Sequence, residues 1–151
     1  MPGSGKSTTG IILAKMLSFG FIDTDILIQI NQQQTLQQII DKSDYLNLRK
    51  IEEAQIRQLN IARHVIATGG SAAYSEKAMS HLSNISTVVF LKADYGVIKQ
   101  RIHNYATRGI ASAGDQTFKE LYDERQALYR KYAELTFDCS EDIMKFRETL
   151  N

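Results

Sequence analysis

The sequence predicts an α/β protein: a parallel sheet with helices on both faces. Short apolar runs rich in β-branched residues alternate with longer stretches of helical periodicity, a glycine-rich run Gly3-Ser4-Gly5-Lys6-Ser7 opens straight into one of those stretches, and no repeat or linker interrupts the order. At 151 residues with a 43% hydrophobic share, one folded domain over 1–151 is expected.

The elements follow in order. Ile11, Ile12, Ala14 and Leu17 recur at helical spacing, so 7–17 is a helix, and Gly20 stops it. Phe21 and Ile22 form a short extended piece ending in Asp23-Thr24-Asp25. The Gln-rich stretch 26–41 reads as one solvated helix without chemistry, and 45–61 as a stronger one. The run 64–67 is short and apolar enough for a buried parallel strand, and it ends in Thr68-Gly69-Gly70-Ser71. Helix 76–82, strand 87–91 and helix 94–106 continue the alternation. Residues 109–115 lack any large apolar side chain after Ile110 and read as a mobile loop. Helix 117–132, strand 135–138 and helix 141–150 close the chain.

Charge and cysteine usage exclude several function classes. With 18 Lys and Arg against 17 Asp and Glu, the net charge of +1 offers no footprint for sequence-independent nucleic-acid or membrane binding. Any anion must therefore be held locally. A single cysteine, Cys139, makes no internal disulfide, and His64, His81 and His103 are too scattered for a structural zinc site. A soluble cytoplasmic protein without a targeting segment is expected, a monomer acting on a small molecule.

The chemistry concentrates at the start. Glycines let successive backbone N–H groups curl toward phosphate oxygens, the helix N-terminus adds partial positive charge, Lys6 reaches terminal phosphates, and Ser7 offers a hydroxyl to Mg²⁺. This is the P-loop pattern GxxxxGKS with Met1 at its second position, and it makes the fold P-loop NTPase-type. Asp23 and Asp25 flank Thr24 at a strand end, where side chains two apart point the same way; one could hold metal-bound water and the other orient a hydroxyl, while Asp25 or Thr24 would equally serve as a helix N-cap. Arg125 falls on a stripe with Phe118, Tyr122, Tyr129 and Tyr132, so its guanidinium faces inward and requires an anion, from the protein or from a ligand. Arg49 precedes Glu52 and Glu53 by three and four residues and, taken alone, reads as half of a surface pair. Gly69-Gly70 marks either a close approach of backbone to another group or a plain turn. Arg101 and Arg108, seven apart on one helical face beside the loop, suit a lid over phosphate or a solvated surface equally.

Taken together, these residues resemble the shikimate kinase family, small P-loop kinases of the nucleoside-monophosphate-kinase-like fold, over nearly the whole chain. The resemblance implies that Gly3, Ser4, Gly5, Lys6, Ser7 and Thr8 bind ATP, with Mg²⁺ at Ser7 and Asp23 and the shikimate hydroxyls at Asp25. Leu48-Arg49 with Glu52 looks like the family's FRxxE, whose arginine grips the substrate carboxylate, and Thr68-Gly69-Gly70-Ser71 looks like its TGGG turn on the substrate. Arg101 falls at the adenine-stacking arginine, Arg108 at the lid arginine within 107–116, and Arg125 at the second carboxylate-binding arginine. The implied reaction is ATP-dependent phosphorylation of a hydroxyl on a carboxylated metabolite, with Lys6, Asp25 and Arg108 as catalytic groups and shikimate as acceptor. Another small anionic acceptor, or an inactive nucleotide-binding relic, is the alternative. Ser71 stands in place of a third glycine, and Arg108-Gly109-Ile110 in place of RPLL. The strand that leads into the P-loop, central in the resembled fold, is expected to be missing, leaving neighbouring strands short of ladder partners.

Overall fold

The computed structural model describes residues 1–102 and 109–150. Its elements run α1 (Lys6–Leu17), β1 (Gly20–Asp23), α2 (Thr24–Gln32), α3 (Leu36–Lys42), α4 (Tyr45–Arg57), β2 (His64–Ala67), a 3₁₀ turn (Ala72–Tyr74), α5 (Glu76–Ile85), β3 (Val89–Lys92), α6 (Tyr95–Arg101), α7 (Phe118–Tyr132), β4 (Leu135–Asp138) and α8 (Ile143–Glu148). Residues 103–108, which include the end of the expected helix 94–106, the first part of the expected lid, and Arg108, lie outside the described residues.

Most helices start where a short polar side chain accepts an otherwise unpaired N–H. Asp23 caps α2, Asp44 caps α4, Ser75 caps α5, and Thr35 and Thr117 form capping boxes with Gln38 and Glu120. These caps correct one expectation. The Gln-rich stretch is two helices, because Gln33 turns left-handed (φ 53°) to close α2 while Thr35 opens α3. The helix predicted over 45–61 ends at Arg57.

Strand pairing is parallel, as the alternation requires. β1 pairs with β2 from Gly20↔His64 to Asp23↔Ala67, and β3 with β4 from Val89↔Leu135 to Lys92↔Asp138. Among the described residues these are two separate two-stranded sheets rather than one. A cavity of about 80 Å³ lies where the pairs approach, lined by Met1, Lys6, the turn 68–70 and residues 88–91.

Helices cover both pairs. Ile56, Ala78, Met79 and Leu82 form one buried cluster, against which Ile66 and Val88 pack; Leu13, Phe137 and Phe146 form another beneath α1 and α8. Burying a side chain the size of Ile56 or Leu82 contributes roughly 1.5–3 kcal/mol. Met1 is itself buried against Ala93, Ile98, Ile102 and Leu121. Because β1 and β2 run in register, their C-terminal residues Asp23 and Ala67 finish side by side. The turns that leave them, carrying Asp25 and Gly69, therefore open at one end of the sheet, where α/β proteins place ligands.

Candidate active site

The P-loop end is built by backbone geometry. Gly3 (φ 77°) and Gly5 (φ 91°) take left-handed conformations. A Cβ on Gly3 would also lie 2.9 Å from Ile102. Ser4 is buried and donates to the Met1 carbonyl at 2.8 Å, fixing the curl. The Lys6 ammonium donates to the same carbonyl at 2.8 Å. Burial lowers its pKa, with Asp25 and Asp23 opposing that trend. Ser7 Oγ donates to Asp23 Oδ2 at 2.6 Å, and Asp23 Oδ1 accepts the Asp25 N–H at 3.0 Å. Thr8 is exposed at the cavity wall, and the exposed Arg101 reaches the Gly3 carbonyl at 3.4 Å.

Ser7 and Asp23 form a pair of hard oxygen donors beside the loop. No group of three His, Cys, Asp or Glu side chains placed to hold a metal exists among the described residues. That sparse set suits Mg²⁺, which keeps waters and takes its remaining ligands from phosphates.

From the loop a cavity of about 570 Å³ extends past Asp25 to Glu52, Ser71 and Arg125. Asp25 reaches it from the first turn of α2 and not from the strand, so strand alternation is not what sets the two carboxylates together. Asp23 is the cap, and the helix start turns Asp25 into the cavity. Gly69 and Gly70 are close-approach glycines. A Cβ on Gly69 would sit 2.1 Å from Glu52 Oε1 and 2.7 Å from Asp25 Oδ1; one on Gly70 would sit 2.6 Å from the Arg125 guanidinium. The Gly69 N–H donates to buried Thr24 Oγ1 at 3.2 Å, which ties the β2 turn to the start of α2.

Arg125 faces inward, 1% exposed. Its Nη2 donates to the Ala111 carbonyl at 2.8 Å and its Nε has no partner. Arg49 corrects the surface-pair expectation. Its guanidinium stacks 3.6 Å from the Tyr74 ring centre and donates to the same Ala111 carbonyl at 3.2 Å, while Glu53 pairs with Arg57. The Gln-rich segment also touches the site, since Leu36 lines the cavity and Gln37 accepts the Gly109 N–H at 2.8 Å. Of the expected site residues, Arg108 is the one outside the described residues.

The chain as a whole is similar to known proteins. The family model described as shikimate kinase matches residues 2–150. The chain belongs to the shikimate kinase family. It is 33% identical over 146 residues to a shikimate kinase of Caldanaerobacter subterraneus subsp. tengcongensis, covering 95% of this chain and 85% of that one. To a shikimate kinase of Rippkaea orientalis it is 37% identical over 145 residues, covering 94% and 76%. The solved shikimate kinase from Acinetobacter baumannii in complex with shikimate superposes with a TM-score of 0.86 at 25% identity, covering 99% and 86%. As a member of this family the chain is a kinase with a hydroxyl as acceptor and ATP as phosphate donor.

Within this kinase frame, several groups at the site had no role in the motif reading, Glu52 entering it only as the last residue of the FRxxE-like stretch. Glu52 is 3% exposed and lies in the cavity wall, with Oε2 accepting from Ser71 Oγ at 2.5 Å. The signal for it was available: Leu48, Glu52 and Ile56 are spaced four apart on α4, and all three are buried. Tyr129 donates to the Gly70 carbonyl at 2.7 Å, and burial pushes its phenol up to about 12, so it stays a donor. Tyr74, under the Arg49 guanidinium, and the Ala111 carbonyl carry no motif.

Proposed function

We propose that this chain transfers the γ-phosphoryl group of ATP to a hydroxyl of shikimate, giving shikimate 3-phosphate, as a step in aromatic amino acid biosynthesis. One observation carries the choice of acceptor: Arg125, which lines the cavity that begins at the P-loop, and Arg49, from a different helix, both donate to one point of that cavity's wall, the Ala111 carbonyl. Such a convergent pair fits a carboxylate, since guanidinium donors match its geometry. The shikimate bound to the Acinetobacter baumannii relative supports this reading.

Phosphoryl transfer needs positioning and charge stabilisation more than covalent chemistry. Gly3, Ser4, Gly5 and Thr8 cradle the phosphates, and Lys6 neutralises charge on the transferred group. Ser7 and Asp23 would hold Mg²⁺, which supplies positive charge against the phosphate oxygens when bound. Asp25 orients the acceptor hydroxyl and takes its proton. Gly69, Gly70 and Ser71 form the acceptor wall, and Arg49 and Arg125 hold the carboxylate. Arg101 meets the adenine, and Arg108, with the lid 107–116 of a single domain 1–151, meets the phosphates by the family pattern. The reading takes the protein as a cytoplasmic monomer acting on small molecules; no described helix is long and apolar enough to cross a membrane.

An ADP-release assay tests the assignment. Turnover with ATP and shikimate, absent without shikimate, is expected. Turnover with a nucleoside monophosphate or another hydroxy acid in its place would overturn the acceptor, and no turnover with any acceptor despite ATP binding would overturn catalysis.

A further inference from the structure

Ser71 replaces a glycine of the family's turn, and its hydroxyl is already committed. It is 8% exposed and donates to Glu52 Oε2 at 2.5 Å, so its proton is not available to a ligand. The other carboxylate oxygen, Glu52 Oε1, is buried without a hydrogen-bond partner. It faces Gly69, as does Asp25 Oδ1, the distances from a Cβ built there being 2.1 and 2.7 Å. Two carboxylate oxygens thus approach one glycine from two helices. An unsatisfied buried acceptor is costly, and a hydroxyl from a ligand relieves that cost.

We propose that Ser71 is a positioning residue: it holds the Glu52 carboxylate with Oε1 toward the acceptor, where Oε1 receives a hydrogen bond from a second substrate hydroxyl, next to the one that Asp25 takes. The inference rests on the kinase reading of the cavity and deepens it, assigning the site to an acceptor with neighbouring hydroxyls. A glycine at position 71 would supply no such hold. Discrimination by a pocket built around a hydroxyl is strong, because an analogue lacking it leaves the carboxylate oxygen unpaired.

The surroundings make the hold visible in titration. Asp25 on α2, Lys6 on α1, and Arg125 and Tyr129 on α7 face Glu52 electrostatically. On its own helix, Arg49 is directed to Ala111, and Glu53 to Ser75 and Arg57. Burial pushes the Glu52 carboxyl up to about 7, Asp25 adds to the rise, and the Ser71 hydrogen bond, Arg125 and Lys6 oppose it. Removing the Ser71 hydroxyl therefore raises it further.

The test pairs a binding-independent measurement with kinetics. The ¹³C-carboxyl signal of Glu52, assigned by its loss in Glu52→Gln, is titrated in wild type, Ser71→Ala and Ser71→Thr, and shikimate and ATP saturation curves are measured for each. In Ser71→Ala the midpoint should rise by about half a pH unit or more, from loss of a hydrogen bond to the charged form. KM for shikimate should rise about tenfold with KM for ATP unchanged within about twofold, as loss of one ligand hydrogen bond requires. Ser71→Thr should restore both. An unmoved midpoint in Ser71→Ala, or equal rises in both KM values, overturns the proposal. If the wild type does not phosphorylate shikimate, the acceptor assignment fails on its own, and the titration still decides whether Ser71 holds Glu52.

Discussion

Arg49 and Arg125 donate to the same oxygen, the carbonyl of Ala111, from α4 and α7 at 3.2 and 2.8 Å. Neither arginine has a carboxylate partner within salt-bridge distance among the described residues. A neutral carbonyl satisfies two guanidinium groups only in part, and both Nε atoms stay buried and unpartnered. No ion pair to a described acid ties up either guanidinium, and the two are directed at a common point, as an anion-binding site requires.

Arg125→Ala should weaken shikimate binding by about 2 to 5 kcal/mol, as expected for losing a buried charged hydrogen bond, and leave ATP binding nearly intact. Arg49→Ala should act in the same direction but less, because Arg49 is half-buried where Arg125 is buried. Calorimetric titration of each variant with shikimate and with ATP measures this. An equal loss of ATP affinity would move Arg125 to the nucleotide, and loss of cooperative unfolding would make it structural.

Lys6→Ala should reduce kcat by about a hundredfold or more, the loss typical of removing a charge-stabilising donor. Its ammonium is tied to the Met1 carbonyl in the phosphate loop and to no apolar cluster, so the melting temperature should change by a few degrees at most. Turnover close to wild type would remove Lys6 from the phosphate site.

Gly69→Ala places a methyl 2.1 Å from Glu52 Oε1 and 2.7 Å from Asp25 Oδ1, so both carboxylates must move. Displacement on the order of 1 Å at a reacting group costs roughly a hundredfold, and kcat/KM for shikimate should fall by about that much. KM for ATP should hold. Steady-state kinetics with each substrate varied in turn would decide it, and an unchanged shikimate kcat/KM would contradict the convergence of these side chains.

Glu52 also imposes a pH dependence on stability. Its carboxyl is pushed up from 4.5 to about 7 in the folded protein, chiefly by burial. The folded state therefore binds more protons than the unfolded between those values. Its contribution is fully present below about pH 4.5, is lost as pH rises through 7, and stays lost above, a change on the order of 3 kcal/mol. Glu52→Gln should flatten this slope and be the more stable protein at pH 8.5, while binding shikimate less well. Urea unfolding of both proteins at pH 5 and 8.5 measures the difference, and parallel pH dependences would mean that Glu52 stays ionised throughout.

The strand 135–138, the start of α1 and the helix 117–132 were legible because each is decided locally, by the alternation of Leu135 and Phe137 with polar residues, a glycine-rich opening or a capping threonine. Arg125 was legible as inward-facing because its aromatic neighbours share its helical stripe. Misread elements were those where a local pattern had two solutions. The Gln-rich stretch has helical propensity throughout, and only the left-handed turn at Gln33 and the cap at Thr35 divide it. Arg49 has acids at ion-pair spacing on its own helix, yet Tyr74 and Ala111 from elsewhere in the chain take its guanidinium.

By itself, the sequence determined the phosphate-binding loop, the α/β alternation and the residue types of the site, because these depend on spacing along one chain segment. Tertiary structure decided which groups meet. The register of β1 on β2 brings the Asp25 and Gly69 turns to one end, α4 turns Glu52 to Ser71, and residue 111 returns to lie between two arginines. Those contacts join residues far apart in the chain, so no local periodicity carries them. Burial, which raises the Glu52 carboxyl to about 7, exists only once the helices have closed over it.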